Sequence, residues 1–281
     1  MSSEIEEKFI AYVELMPAFP KSVHKVVQLA SDVDSSAKDI VAVIESDPIM
    51  TVKILKVINS AFYSLPQKIT SIQRALVHIG ITTIKNLALS VAAIGVLNPN
   101  NKAGFDTDLF LEHSLATAVI SKKIAEQLKV PLMQSSEYFV AGLLHDFGKV
   151  VFAEYMPDEF KQALELSQNE HIDLHLAELK VMGINHTQAG RMLALKWELS
   201  TDLADAIDFH HNVGKGKLLA DCVFVANQIA KKYKIGDAGN SIVEDLPVEL
   251  ENRLGMSLNE IIDKLGDISV IQSEVQQFMR A

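Results

Sequence analysis

The sequence has 281 residues, of which 48% are hydrophobic and 22% are charged, with only 13 glycines and 8 prolines. This composition excludes a disordered chain and favours helices over the turn-rich strands of a barrel or sandwich. The formal net charge is −10, and the whole excess lies in residues 101–281, which hold 17 basic and 27 acidic side chains. Such an acidic body argues against nucleic acids and anionic membranes as partners.

Helical periodicity dominates the first hundred residues. The stretch Ser36-Ala37-Lys38-Asp39 has the form of a capping box in front of an apolar stripe, and Asp47-Pro48 suits the start of the next helix. A further helix is expected from about residue 82 to residue 97. The polar, turn-rich residues 98–101 then predict a linker. We therefore expect two lobes, comprising residues 1–98 and 102–281.

The second half of the chain also has helical spacing. Its first helix is expected near residues 110–128, and the next, near 137–144, leads into His145-Asp146. Further helices are predicted at 156–169, 172–182, 186–196, 203–210 and 218–232. Residues 236–255 are rich in turn formers and are expected to loop before a last helix that ends near Arg280. Because no convincing strand pattern occurs, the predicted fold is all-α and two-lobed.

The compartment is predicted from the N-terminus, the apolar runs and the cysteine content. Residues 1–8 are acidic where a signal peptide would be basic. The longest apolar run, residues 87–97, is interrupted by Ser90 and is too short to span a bilayer. Cys222 is the only cysteine, so no internal disulfide can form, and its apolar neighbours predict a buried small side chain. These features predict a cytoplasmic protein without a membrane partner.

Five of the nine histidines lie in the second half at positions that could converge. His145-Asp146 ends an apolar helix, where an imidazole beside a carboxylate can hold a divalent metal. The alternative is a buried histidine bonded to a carbonyl, with Asp146 capping the next turn. The other candidates, each of which could also be an ordinary polar contact or helix-end residue, are His113, His186, His210 and His211. The remaining four, interpreted as structural or surface residues, are His24, His78, His171 and His175.

The segment Leu-Leu-His-Asp-Phe-Gly-Lys at residues 143–149 resembles the H-D-x-G-K signature of the HD superfamily of metal-dependent phosphohydrolases. The resemblance implies one or two divalent metals, such as iron or manganese, between helices. His113 falls where that superfamily has its first histidine ligand, and His186 and His210-His211 fall where the HD-GYP branch, which hydrolyses cyclic di-nucleotides, has later ones. The implied metal ligands are His113, His145, Asp146, His186, His210 and His211, with Asp146 and Lys149 catalytic if the site is active.

The whole of residues 10–235 resembles the HDOD family more closely than a plain HD enzyme. The likeness is carried by residues 19–20 (Phe-Pro), 45–48 (Glu-Ser-Asp-Pro), 57–63 (Val-Ile-Asn-Ser-Ala-Phe-Tyr), 71–80 (Ser-Ile-Gln-Arg-Ala running on to Ile-Gly) and 183–186 (Gly-Ile-Asn-His), with Gly190 and Trp197. The resemblance implies an all-helical module of bacterial signalling and regulation. Such modules usually lack a demonstrated activity, and their function would lie on surfaces that bind protein partners.

At one position the sequence lacks a carboxylate that binds the metal in the catalytic branches. Asn227 follows Val225-Ala226 where those branches have an aspartate that completes the metal site, and an amide is a weaker ligand than a carboxylate for a hard cation. Asn212 also replaces the glutamate of the HD-GYP branch, and no Gly-Tyr-Pro follows. Asp208 or Asp221 could substitute, although nothing in the sequence requires it.

Two functions therefore stay open. The first is a regulatory module with a degenerate metal site. The second is a metal-dependent phosphohydrolase acting on a nucleotide or cyclic di-nucleotide, in which metals activate water and Lys149 neutralises charge on the phosphate. A third interpretation, nucleic-acid binding through the helices around Gly80, is disfavoured by the charge balance.

Overall fold

A computed structural model describes residues 3–32, 35–59, 67–214 and 217–280. Within these ranges the chain forms sixteen α-helices and no strand, so the all-α prediction is confirmed. The first eight are α1 (Ser3–Leu15), α2 (Lys21–Ser31), α3 (Ala37–Glu45), α4 (Pro48–Ile58), α5 (Ile72–Ile94), α6 (Thr107–Gln127), α7 (Leu132–Leu144) and α8 (Gly148–Tyr155). The last eight are α9 (Pro157–Glu170), α10 (Leu174–Met182), α11 (His186–Lys196), α12 (Thr201–Phe209), α13 (Leu218–Lys232), α14 (Val248–Leu254), α15 (Leu258–Leu265) and α16 (Ile268–Arg280).

The predicted helix starts occur in the structure. Ser36 and Asp39 form a reciprocal capping box at α3, and the Asp47 side chain accepts a hydrogen bond from the Met50 N–H at 3.0 Å at the start of α4. These bonds satisfy backbone donors that the first turn of a helix leaves without partners. The next helix begins earlier than predicted, at residue 72, and bends at Gly80, whose φ of +75° is outside the helical region.

The end of the chain differs from the prediction. Residues 236–255 were expected to loop, but α14 lies within this stretch, and the expected last helix is two helices, α15 and α16. A Ser257–Glu260 capping box starts α15 after the left-handed Gly255 ends α14. Helix α8 was also not predicted, because it is only eight residues long and follows α7 almost directly.

The stretch at residues 57–63, which resembles the HDOD family, contributes Asn59, whose side chain bonds to the backbone of residue 69. Asn59 caps α4, and its side-chain amide donates to the carbonyls of Leu55 at 2.7 Å and Ile69 at 2.8 Å. Its side-chain oxygen accepts from the Ile69 N–H at 2.7 Å. This amide therefore fixes residue 69 against the end of α4. Residues 60–63 of the same stretch lie outside the described residues.

Helix α5 is long and apolar enough to cross a membrane by composition, but half of its most apolar 18-residue window is buried inside the protein. Its neighbours are α2, α3, α4 and α7. Within this contact the buried Asn86 side chain of α5 donates to the Ser136 hydroxyl of α7 at 3.0 Å. A core helix buries an apolar surface of this kind for the same reason that a membrane helix does, so packing explains its composition.

The N-terminal residues pack on helices from the second half of the chain. Helix α1 contacts α8 and α11, and the Lys196 ammonium at the end of α11 donates to the carbonyls of Val13, Glu14 and Met16 at 2.8, 2.6 and 3.0 Å. The ring of Phe19 stacks on Trp197 at 4.4 Å between centroids. The end of α11 therefore holds the chain between α1 and α2. The division into lobes at residues 98–101, which lie in the loop between α5 and α6, stays a prediction.

We expect Lys196→Met to lower the free energy of unfolding by about 1–3 kcal/mol, because three carbonyls lose a charged donor while the side-chain volume is kept. Lys180→Met is the matched control. Lys180 pairs with Glu170 at 2.8 Å on the surface and is 55% exposed, so its loss should cost less than about 0.5 kcal/mol. Urea denaturation of the two variants beside wild type measures the difference. Equal effects would contradict the proposed importance of the Lys196 contacts.

Candidate metal centre

Four separate helix positions bring the predicted ligands together. His113 lies within α6, His145 and Asp146 directly follow α7, His186 is the first residue of α11, and His210 and His211 directly follow α12. The ring centroids of His113 and His145 are 5.6 Å apart, those of His145 and His210 are 5.0 Å apart, and those of His186 and His210 are 5.4 Å apart. All six residues therefore form one cluster, although nearly one hundred positions separate the first from the last.

The Asp146 carboxylate lies at the centre of the cluster. Its Oδ1 atom is 3.1 Å from His186 Nε2 and 3.6 Å from His210 Nε2. Its Oδ2 atom accepts a hydrogen bond from the Lys149 ammonium at 2.7 Å and is 3.3 Å from His145 Nε2. Lys149 donates also to the Ala238 carbonyl at 3.0 Å. The two carboxylate oxygens thus face different neighbours.

Hydrogen bonds on the outer side orient three of the imidazoles. His145 Nδ1 donates to the Gly142 carbonyl and His210 Nδ1 donates to the Ile207 carbonyl, both at 2.7 Å. His186 Nδ1 donates to the Glu178 carboxylate at 2.6 Å. Each bond places a proton on Nδ1, so that in the neutral ring the Nε2 lone pair points to the cluster. Metal-binding histidines are oriented by this kind of second bond.

The imidazole and carboxylate atoms that face the interior of the cluster are suitable ligands for a cation. Among the described residues, no hydrogen-bond partner is present for the buried Nε2 atoms of His113, His145, His186 and His210, or for Asp146 Oδ1. Buried polar atoms without partners are rare because the loss of water is not compensated. One ligand atom from each of Asp146, His186, His210 and His211 lies within 4.8 Å of the others, and the same holds for His113, His145 and Asp146. Both sets combine imidazole nitrogens with a carboxylate oxygen, which are donors that zinc, iron and manganese accept.

The side chains of the cluster have the protonation states that metal ligands need. Burial, with neighbouring His145 adding to it, lowers the pKa of His113 to about 3, and burial lowers the pKa of His210 to about 3 as well. Burial raises the pKa of Asp146, but His145 and Lys149 outweigh this effect and hold that pKa well below its usual range. Burial lowers the pKa of His186, but Glu178 outweighs burial and raises it. At neutral pH the centre therefore offers an ionised carboxylate and at least two neutral imidazoles.

Glycines allow the backbones to meet around the cluster. A Cβ atom on Gly148 would lie 2.0 Å from the His186 carbonyl oxygen, so the start of α8 touches the start of α11. Gly236, with φ of +64°, follows α13 and would place a Cβ atom 2.3 Å from the His113 amide nitrogen. A Cβ atom on Gly142 would lie 2.7 Å from the Ala118 Cα, which brings α7 close to α6. No other residue type fits these approaches.

Sequence reasoning missed an adjoining group of polar residues. His175 was interpreted as a structural or surface residue, but its ring stacks on His211 at 4.3 Å, and its Nδ1 atom is 2.6 Å from Asp173 Oδ1. Ligand atoms of Asp173, His175 and His211 also lie within 4.8 Å of one another. Glu178, the partner of His186, was missed too. An Asp-x-His pattern at the start of α10 is the only sequence signal that could have pointed to this group.

Asn227 is buried in α13, with 1% of its surface exposed, and its Oδ1 atom has no hydrogen-bond partner within the described part of the chain. Helix α13 packs against α6, α7 and α12, which carry or precede the ligands. Asp221, considered as a substitute carboxylate, instead accepts a hydrogen bond from Arg253 at 2.6 Å. Asp208, the other substitute, is 3.5 Å from Arg191. Both substitutes therefore already have cationic partners.

The sequence profile of the HDOD domain matches residues 16–213. The chain belongs to the HDOD domain family. An HDOD domain protein of unknown function from Geobacter sulfurreducens has the same fold, with a TM-score of 0.78, 24% identity, and coverage of 97% of this chain and 98% of that one. A candidate phosphohydrolase from Shewanella amazonensis has a TM-score of 0.75 and 21% identity, with 96% and 97% coverage. At these identities the two structures establish the HDOD fold alone.

Curated relatives of this HDOD chain are much longer. Ribonuclease Y from Mycoplasmoides gallisepticum is 28% identical over 176 residues, which are 60% of this chain and 26% of that protein. An alignment with an uncharacterised Treponema pallidum protein covers 72% of this chain and 38% of that protein. The HDOD chain therefore spans between about a quarter and two fifths of these relatives.

We expect Gly148→Ala to lower the free energy of unfolding by about 3 kcal/mol, because its Cβ would overlap a backbone carbonyl that cannot move without displacing His186. Gly95→Ala is the control, since Gly95 caps α5 with a φ of −67° and its Cβ would meet no atom closer than 3.3 Å. The control should change stability by less than about 1 kcal/mol. Guanidinium denaturation of both variants measures the loss of stability. A loss for Gly148→Ala no larger than that of the control would show that the backbone relaxes around the added Cβ atom.

Metal-stripped protein should lose stability as the pH falls from about 6.5 towards 3. His113 has a pKa of about 3 when folded against an ordinary 6.5, so the unfolded chain binds more protons across this window. His113→Asn should therefore reduce proton uptake on unfolding by about one in the same window. His78→Asn, which changes an exposed histidine of α5, is the matched control. Urea unfolding at several pH values measures these slopes, and a His113 variant with the wild-type slope would refute the assignment.

Proposed function

We propose that this chain is a regulatory HDOD module that acts through protein partners and whose buried centre holds a divalent metal, such as iron or manganese, without hydrolysing phosphoesters. The observation that carries the proposal is the enclosure of the centre. His113, His145, Asp146, Lys149, His186 and His210 are all between 0% and 2% exposed. A hydrolytic metal needs a position open to water and substrate, whereas a structural metal site is closed.

The contacts of Lys149 support a structural role. In the hydrolase interpretation this ammonium would neutralise charge on a phosphate. Here it is 2% exposed and bonded to both Asp146 and the Ala238 carbonyl. The Ala238 carbonyl belongs to the segment after α13, which also contacts His113 through Gly236. A phosphate group would have to displace this segment to reach the ammonium.

Asn227 supports the same interpretation through charge. An amide in place of a carboxylate removes one negative charge from the ligand positions and weakens retention of a hard cation. The residues that would hold a metal are Asp146 and the histidines around it. A bound divalent metal would supply Lewis acidity and a water of lowered pKa if an open position existed.

A metal-dependent phosphohydrolase is the second candidate function. It is supported by the donor set of imidazoles and a carboxylate, and by similarity to a protein named ribonuclease Y and to a candidate phosphohydrolase. In this alternative, Asp146 and the histidines hold the metal, and Lys149 leaves its present partners to bind a nucleotide or cyclic di-nucleotide phosphoester. The alternative requires the loop after α13 to open.

Protein partners are proposed to bind in the N-terminal half of the chain. Residues 1–100 hold equal numbers of basic and acidic side chains, unlike the acidic remainder. Exposed branched aliphatic side chains occur there at Ile49 and Val52 in α4 and at Val77 in α5, which are 71%, 54% and 79% exposed. Such residues suit protein contacts better than contacts with nucleic acid or an anionic membrane.

Purified protein should not turn over cyclic di-nucleotides, nucleotides or simple phosphate esters, with manganese or iron supplied. Asn227→Asp should raise the retention of one metal ion more than it raises any hydrolysis, because it adds a negative charge on α13, which packs against the helices that carry or precede the ligands, but leaves the centre enclosed. Metal analysis and product chromatography of wild type, Asn227→Asp and His145→Ala measure both quantities. Robust turnover by wild type that His145→Ala abolishes would make the chain an enzyme.

A further inference from the structure

The ligands around Asp146 divide into two halves that share its carboxylate. The His186 half comprises Asp146 Oδ1 with His186, His210 and His211, and the His113 half comprises Asp146 Oδ2 with His113 and His145. The first half offers four ligands and the second offers three.

The two oxygens of Asp146 differ in what already binds them. Oδ2 accepts a hydrogen bond from the Lys149 ammonium at 2.7 Å, on the side where His145 Nε2 lies at 3.3 Å. Oδ1 has no hydrogen-bond partner among the described residues and faces two imidazole nitrogens. A metal ligated by Oδ2 at about 2 Å would lie close to a buried ammonium, and repulsion between cations is strong where water is excluded.

The charges of the surrounding side chains favour one divalent cation. Acidic groups at the centre and around His211 are Asp146, Asp173, Glu178 and Glu244, whose carboxylate is 3.9 Å from His211 Nδ1. The basic groups are Lys149, which contacts Asp146, and Lys231 of α13, whose charge interacts with Asp173 and Asp146. With neutral imidazoles, which metal binding requires, the formal charge of these six groups is −2. One divalent cation neutralises this charge. A second would leave an excess of +2 in a region whose central side chains are almost completely buried.

We infer that a single divalent cation binds in the His186 half, through Asp146 Oδ1, His186, His210 and His211, and that the Lys149 ammonium takes the place of a cation in the His113 half. This assignment rests on the proposed metal-holding role, but not on the absence of hydrolysis. Three imidazoles and one carboxylate complete a tetrahedral set for zinc or iron(II). The cation thereby ties the end of α7 to the start of α11 and the end of α12.

The test uses four matched alanine variants, because His113, His145, His186 and His210 are all buried histidines of the same cluster. Metal-stripped wild type and variants are titrated with Zn²⁺ by calorimetry, and circular dichroism verifies that each remains folded. Wild type should bind one equivalent. His186→Ala and His210→Ala should weaken Zn²⁺ binding by more than about 100-fold. His113→Ala and His145→Ala should weaken it by about 10–100-fold at most, as for residues outside the ligand set.

The opposite pattern, or equal losses in all four variants, would overturn the assignment. Two equivalents bound by wild type would overturn it too. Because no hydrolysis is measured, these outcomes leave the proposed non-hydrolytic function to its own assay. A histidine variant that does not fold is replaced by the corresponding glutamine, which keeps more of the side-chain volume.

A second experiment removes the ammonium without changing any ligand of the His186 half. Lys149→Met combined with Asn227→Asp frees Asp146 Oδ2 and adds a carboxylate on α13. We expect this double variant to bind two equivalents of Zn²⁺. The control combines Lys231→Met with Asn227→Asp and keeps Lys149, so it should bind only one equivalent of Zn²⁺ strongly. A double variant that still binds one equivalent would contradict the role given to Lys149.

Discussion

A carboxylate that is 1% exposed at the meeting point of several helices requires positive charge around it, and Asp146 is such a group. The Lys149 ammonium compensates one oxygen, and the imidazoles of α11 and α12 face the other. Helices α7, α11 and α12 meet at this carboxylate because each presents a histidine from a terminal residue or a residue just beyond its end, and Lys149 lies in the first turn of α8. Gly148 and Gly236 let the backbones come close enough for the side chains to reach the carboxylate.

Helix α11 connects the centre to the N-terminal part of the chain. Its first residue, His186, faces Asp146, and Lys196 and Trp197 at its other end hold the carbonyls of residues 13–17. Eleven residues of helix span roughly 16 Å. Helix α11 therefore joins a residue that faces Asp146 to the chain between α1 and α2. A regulatory role for the centre requires a connection of this type, and no substrate has to enter.

The sequence predicted features with local causes. The capping box at Ser36 and Asp39, the Asp47-Pro48 start and the family motif around His145 and Asp146 depend on neighbouring residues, so their pattern alone located them. Glu178 could not be predicted, because a glutamate inside an amphipathic helix is typical of an exposed face, yet it is fully buried against His186. The contact of His175 with His211 could not be predicted, because the two residues lie thirty-six positions apart in the sequence. Helix α14 was missed because it is a seven-residue helix in a stretch of turn formers.

Burial explains why metal retention and hydrolysis make opposite demands on this centre. Excluding water strengthens the attraction between a cation and Asp146, and the carbonyls of Gly142 and Ile207 hold the rings in place for binding. A hydrolase, by contrast, needs access for water and a phosphoester. A catalytic site resolves this conflict with an open coordination position, whereas here the segment from Gly236 to Ala238 covers His113 and Lys149. Under the proposed function, the motif of a hydrolase persists in a module where its ligands serve as a charged link between helices.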